Sequence, residues 1–162
     1  MTDYPKICFD KILPRDLNRP HRTFLPGDPM RAIIVIRKMW PNGSTLRVRF
    51  MEGTDGQKAI ARNQAGWWEE HANLRFDFTE DPDADIRITF DSEDGAWSYV
   101  GTDCLSIPSH QATMNLGFQD GGTSAHEFGH AIGLGHEHQN PEGGIEWNED
   151  VVIRDLAGPP NF

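Results

Sequence analysis

The sequence predicts an α+β domain: one sheet, a helix that backs it, and a second helix bearing a cluster of candidate metal ligands. Three observations predict it. Short segments of alternating apolar and polar residues recur between turn residues, and one long segment among them has helical spacing. A histidine-rich run, His126 to His136, opens with two imidazoles four residues apart, which a helix brings onto one face. With 162 residues, 37% apolar and 25% charged, the chain has the size and composition of one soluble globular domain.

Residues 1–30 carry Pro5, Pro14, Pro20, Pro26 and Pro29 and read as an extended N-terminal arm laid over the surface, with 31–162 as the domain proper. Ala32 to Trp40 is rich in β-branched residues, and Thr45 to Met51 alternates Leu46, Val48 and Phe50 with Arg47 and Arg49. Two strands follow, and Asn42-Gly43 between them suits a hairpin. Asp55 to Ala72 places Ala59, Ile60, Ala65 and Trp68 at helical spacing and predicts the backing helix, with Trp67 and Trp68 as packing residues. Leu74 to Phe78 and Ile86 to Phe90 alternate again and read as strands on either side of a Pro82-Asp83 turn. The acids between Asp77 and Asp94 read as solvated turns, a structural calcium site being the alternative without its spaced loop motif. Thr113 to Phe118 is the next strand, and a Gly-Gly turn leads from it into the histidine helix. Asn148 reads as the N-cap of a short helix through Leu156, stopped by Gly158-Pro159-Pro160.

The run from His126 to His136 spells H-E-x-x-H-x-x-G-x-x-H. His126 and His130 project from one helix face and can share one ion at about 2.0–2.1 Å. Glu127 lies about 100° round the helix from His126, which suits a general base that touches water rather than metal. Gly133 can take a positive φ, end the helix and turn the chain back to deliver His136 as third ligand. Three neutral imidazoles leave a zinc ion its charge and an open position, the arrangement of hydrolytic sites. A plainer reading makes Ser124-x-x-Glu127 a capping box, but it explains none of the three histidines. Phe128, Ile132 and Ala125 fall on the opposite face as packing residues. His21, His71, His110 and His138 lack metal spacing and read as non-ligands.

This run, followed by Glu137 and Gln139, resembles the metzincin zinc metalloendopeptidases and within them the astacin-like branch. Trp40 to Phe50, Trp97 to Asp103 and Thr113 to Phe118 look like the sheet segments of bacterial and fungal astacin-like proteins. The resemblance implies a metzincin-like upper subdomain whose twisted, mixed sheet is mostly parallel. It implies zinc held by His126, His130 and His136, water activated by Glu127, Glu137 in contact with the mature N-terminus, and peptide or protein substrates. The Thr113 to Phe118 strand would run along the cleft edge, so that Gln111 to Leu116 face an extended peptide. Metzincin zymogens block the metal with a propeptide thiolate or carboxylate, and two candidates occur here, Cys8 and the Asp28 of Phe24-Leu-Pro-Gly-Asp28. The family also closes its cleft with a Met-turn, to which astacins add a tyrosine, yet neither Met nor Tyr follows Met114. The chain is therefore expected to be truncated before the lower half of the site. A non-catalytic or latent zinc-binding domain stands as the alternative to a working peptidase.

The net charge of −10, with no clustered Lys or Arg, argues against nucleic-acid binding. No apolar run approaches the roughly 18 residues of a membrane span, and Met1 to Leu13 does not read as a signal peptide. The family implies an extracellular setting that this chain does not itself encode. Cys8 and Cys104 permit one disulfide, two free thiols or a latency role for Cys8, and the sequence leaves these and the oligomeric state open.

Overall fold

The structure, a computed structural model, describes residues 6, 8–13, 36–136, 146, 148 and 150–151. Among them a six-stranded sheet runs in the order β1-β5-β6-β4-β2-β3. Its strands are β1 (Cys8–Lys11), β2 (Thr45–Phe50), β3 (Arg75–Phe78), β4 (Ile86–Thr89), β5 (Ala96–Tyr99) and β6 (Met114–Leu116). Only the β5–β6 pairing is antiparallel, so the sheet is mixed and mostly parallel as expected.

Helix α1 (Asp55–His71) is closed at its start by a capping box in which Thr54 and Gln57 exchange side-chain and backbone hydrogen bonds. It crosses from β2 to β3, the connection that parallel neighbours require. Its buried face is Ala61, Ala65 and the partly buried Trp68; Ile60 and Trp67 are 41% and 48% exposed. Of the expected face Ala65 and Trp68 turn inward, whereas Ala59 and Ile60 are exposed and Ala61 takes the buried position, and Trp67 stacks on His71 at the surface instead of packing on the sheet. Helix α2 (Thr123–Ile132) lies beside α1, and Phe128 meets Phe76 edge to face at 4.9 Å. Leu46, Val48, Phe50, Ile86, Ile88, Met114 and Leu116 form the sheet side of the same core.

Three expectations are corrected. Ile36–Lys38 forms a 3₁₀ turn and not a strand, so the described part of Ala32 to Trp40 makes no hairpin with β2, which pairs in parallel with β3 and β4. Lys38 is instead drawn inward to the Asp103 carboxylate, and both side chains are almost wholly buried. Beside this pair Gly101 has φ +52, and a Cβ there would fall 1.8 Å from the Lys38 carbonyl oxygen, so this close approach admits glycine alone. β6 is an interior strand with β5 and β4 on its two sides, so Gln111 to Leu116 do not line the cleft edge. The chain doubles back through β5, and that strand is the one beside β6 on the site's side of the sheet.

Several acids of the turns take up protein donors. Asp81 and Asp85 hold the Arg47 guanidinium at 2.7 and 3.2 Å, and Asp94 accepts from the Trp97 indole at 2.7 Å. Among the described residues no helix is long and apolar enough to cross a membrane. Asn148 accepts from the Val151 N–H at 3.2 Å, as an N-cap does; the rest of that helix, Asp28, Glu137, His138 and Gln139 lie outside the described residues.

Candidate metal centre

Helix α2 begins at Gly122, which is left-handed at φ 96 and offers no side-chain cap. Ser124 sits inside the helix, where its Oγ is 3.1 Å from the Gln119 amide nitrogen, so the Ser124–Glu127 capping box does not form. At the other end Gly133 takes φ 113, its N–H bonding back to the His130 carbonyl and the Leu134 N–H to that of Gly129. This reversal, which a Cβ would strain, returns the chain so that His136 faces the helix it has just left.

The three imidazoles converge through Nε2: His126 to His130 is 3.1 Å, His126 to His136 3.2 Å and His130 to His136 3.1 Å. Nitrogens joined to one tetrahedral zinc by bonds of about 2.0–2.1 Å would lie at much this separation. His130 Nδ1 donates to the Leu134 carbonyl at 2.8 Å, which fixes the tautomer and leaves the Nε2 lone pair aimed at the centre. Burial pushes the His130 pKa down to about 4, with the neighbouring imidazoles acting in the same direction and the Leu134 bond opposing. The ring is neutral near pH 7, as a ligand must be. These three residues can hold a metal ion.

Glu127 projects from the same helix and is fully buried, with neither carboxylate oxygen in a hydrogen bond of ordinary geometry among the described residues. Burial raises its pKa to about 8; the facing Cys8 thiol works against that rise and Asp10 adds to it. An orphaned carboxylate beside three convergent lone pairs is what a cation would satisfy, so the donor set fits zinc.

The arm meets the centre directly. β1 pairs with β5 in the register Cys8↔Ala96 and Asp10↔Ser98, so strand alternation turns Cys8 and Asp10 toward α2 while Phe9 and Lys11 face away. Cys8 Sγ, a His126 nitrogen and a Glu127 oxygen all lie within 4.8 Å of one another. Asp10 Oδ1 is 3.5 Å from His136 Nδ1. On the other face Lys11 Nζ sits 3.1 Å from the centroid of the Trp97 ring. Lys6 pairs with Asp120 at 2.7 Å, and the Leu13 N–H donates to Asp103 at 3.0 Å. Both cysteines are free thiols, which removes the disulfide. Burial pushes each up to about 12, and the Glu127 carboxylate contributes at Cys8.

The structure thus brings together all four residues singled out in the motif, and it adds Asp10, which sequence reasoning missed. The available signal was its position two residues after Cys8, on the same face of any strand. His71 and His110 stand apart from the cluster.

Comparison with known proteins gives the family and the fold. A model of the peptidase family described as Astacin matches residues 33–152. Blastula protease 10 of Paracentrotus lividus is 29% identical over 117 residues, covering 69% of this chain and 19% of that protein. Tolloid-like protein 1 of Mus musculus is 28% identical over 131 residues, covering 81% of this chain and 12% of that protein. The chain therefore spans less than a fifth of the length of these curated relatives. A solved structure of myroilysin superposes with a TM-score of 0.73 at 40% identity, covering 79% of this chain and 66% of that one. A crystal structure of myroilysin gives 0.65 at 35% identity, covering 98% and 64%.

Proposed function

The chain belongs to the astacin family of metzincin peptidases, and on that premise we propose that it is a zinc-dependent endopeptidase in which His126, His130 and His136 hold the metal and Glu127 is the general base. The observation that carries this reading is the convergence of three Nε2 atoms within 3.2 Å of one another beside a buried carboxylate that has no other cation among the described residues. When bound, zinc supplies a Lewis acid and a water of lowered pKa. Glu127 takes the proton of the attacking water and returns it to the leaving amine. The exposed edge of β5, once free, offers main-chain groups to an extended peptide. The test is hydrolysis of a broad quenched-fluorescent peptide library by the zinc-loaded chain, by its Glu127→Ala variant and with chelator. Cleavage lost in both controls supports the reading, and stoichiometric zinc without cleavage in any form refutes it. An extracellular setting belongs to the same proposal and rests on the family alone.

A second reading, a latent form of the same site, is favoured by β1. The arm occupies the β5 edge that a substrate would use and sets the Cys8 thiol between His126 and Glu127. Under this reading the closed chain is slow, and Cys8→Ser both raises turnover and speeds zinc removal by chelator. Identical chelator kinetics and turnover in the variant would sink it. Asp28, the other latency candidate, lies outside the described residues.

A further inference from the structure

We propose that Asp10 is a positioning residue for the metal site, orienting His136 through its Nδ1 so that docking of the arm and binding of zinc strengthen one another. The inference rests on the reading above that the three histidines hold zinc.

His130 is oriented by its own helix, through the Leu134 carbonyl just past the C-cap. His136 lies past that cap, outside the helix. Its Nε2 points to the other imidazoles and its Nδ1 to Asp10, 3.5 Å away, and the two side chains are 11% and 10% exposed. A ligand imidazole whose far nitrogen donates to a carboxylate is held in one tautomer and one ring orientation, and the carboxylate makes it a stronger donor to the metal. Asp10 has a second reason to be there. Its Oδ2 is buried without a hydrogen bond among the described residues, and the lysine next to it, Lys11, is turned to the opposite face against Trp97. A buried carboxylate without a cation is costly, and a dication at the three Nε2 atoms is the compensation the site provides. The separation of 3.5 Å exceeds a charge-assisted bond of about 2.7–2.9 Å. A metal held at Nε2 would polarise the Nδ1–H toward this carboxylate.

The carboxylate comes from β1, not from the helix or its cap. Zinc affinity and arm docking are then linked, and by reciprocity each changes the other by the same factor. This differs from a thiol ligand at Cys8, because it acts on a histidine that stays in the site whether or not the thiol reaches the metal.

The experiment is zinc competition against a fluorescent chelator, made in a Cys8→Ser background so that any effect through the thiol is absent. Asp10→Ala should weaken zinc about 10–100-fold, the range for groups that hydrogen-bond metal-bound histidines. Asp10→Asn, which keeps an acceptor and loses the charge, should fall between. The visible absorption of the cobalt-substituted chain should shift in Asp10→Ala, and zinc should protect the Cys8–Lys11 amides from hydrogen exchange in the parent but not in that variant. An affinity within twofold of the parent, with unchanged cobalt spectrum in a variant of native circular dichroism, overturns the proposal. A parent that takes up no stoichiometric zinc overturns the metal reading itself, and this inference with it.

Discussion

Raising the pH of the metal-stripped chain from 6.5 to 8 should destabilise it, and Glu127 is the cause. Its carboxyl, raised to about 8 chiefly by burial, keeps its proton in the folded protein through most of this window and is half ionised at its upper end, whereas the unfolded chain lost it near the ordinary value of 4.5. The unfolded state then binds fewer protons, and stability falls as pH rises. At about 1.4 kcal/mol per unit, tapering as the carboxyl ionises toward pH 8, the loss is about 1.5 kcal/mol. Below pH 6.5 the trend is masked, because His130, lowered to about 4 by burial, acts with the opposite sign between its unfolded value of 6.5 and its folded one. Both free thiols, raised to about 12 from 9.0, enter only at higher pH, so of these groups Glu127 dominates the window. Urea unfolding of the chelated protein at pH 6.5 and 8.0 measures the slope, and Glu127→Gln should flatten it while raising stability at pH 8. An equal slope in the variant, or a stability that climbs with pH, would refute the argument.

Two further outcomes concern the scaffold. Lys38→Met leaves the Asp103 carboxylate buried with only the Leu13 N–H as partner among the described residues, and should cost about 3–5 kcal/mol in urea unfolding, with much of it restored in Lys38→Met/Asp103→Leu. Phe128→Ala opens a cavity between α2 and β3 at a fully buried position, and should cost about 3–5 kcal/mol with a matching loss of zinc uptake, since the same helix carries two of the histidines.

What could be read from the sequence was local. The start of the backing helix at Asp55, the four-residue spacing of His126 and His130 and the left-handed Gly133 are each decided within one turn of chain, and each stands where the sequence put it. Strand order was not local. β2 pairs with β3 and β4 and leaves its sequence neighbour Ile36–Lys38 to a 3₁₀ turn, because Lys38 gains a buried carboxylate 65 residues away. The placement of β6 inside the sheet depends on the reversal at β5, which alternation within Thr113 to Phe118 does not encode. Nor does the spacing of Cys8 and Asp10 announce a metal site, since their neighbours lie more than a hundred residues on. Ile60 and Ala61 differ by one step on the helix wheel, and only the packing partner chooses between them.

The pairing of β1 on β5 makes one four-residue stretch of backbone, Ala96 to Tyr99, the shared seat of three competitors. On the proposed latent reading, lifting the arm would open its N–H and C=O groups to any extended chain: a peptide substrate, the arm returning, or the same strand of another copy. Wakefulness and stickiness then rise together, so that the freed protein at high concentration should quench itself by pairing edge to edge, and peptide should keep it dispersed.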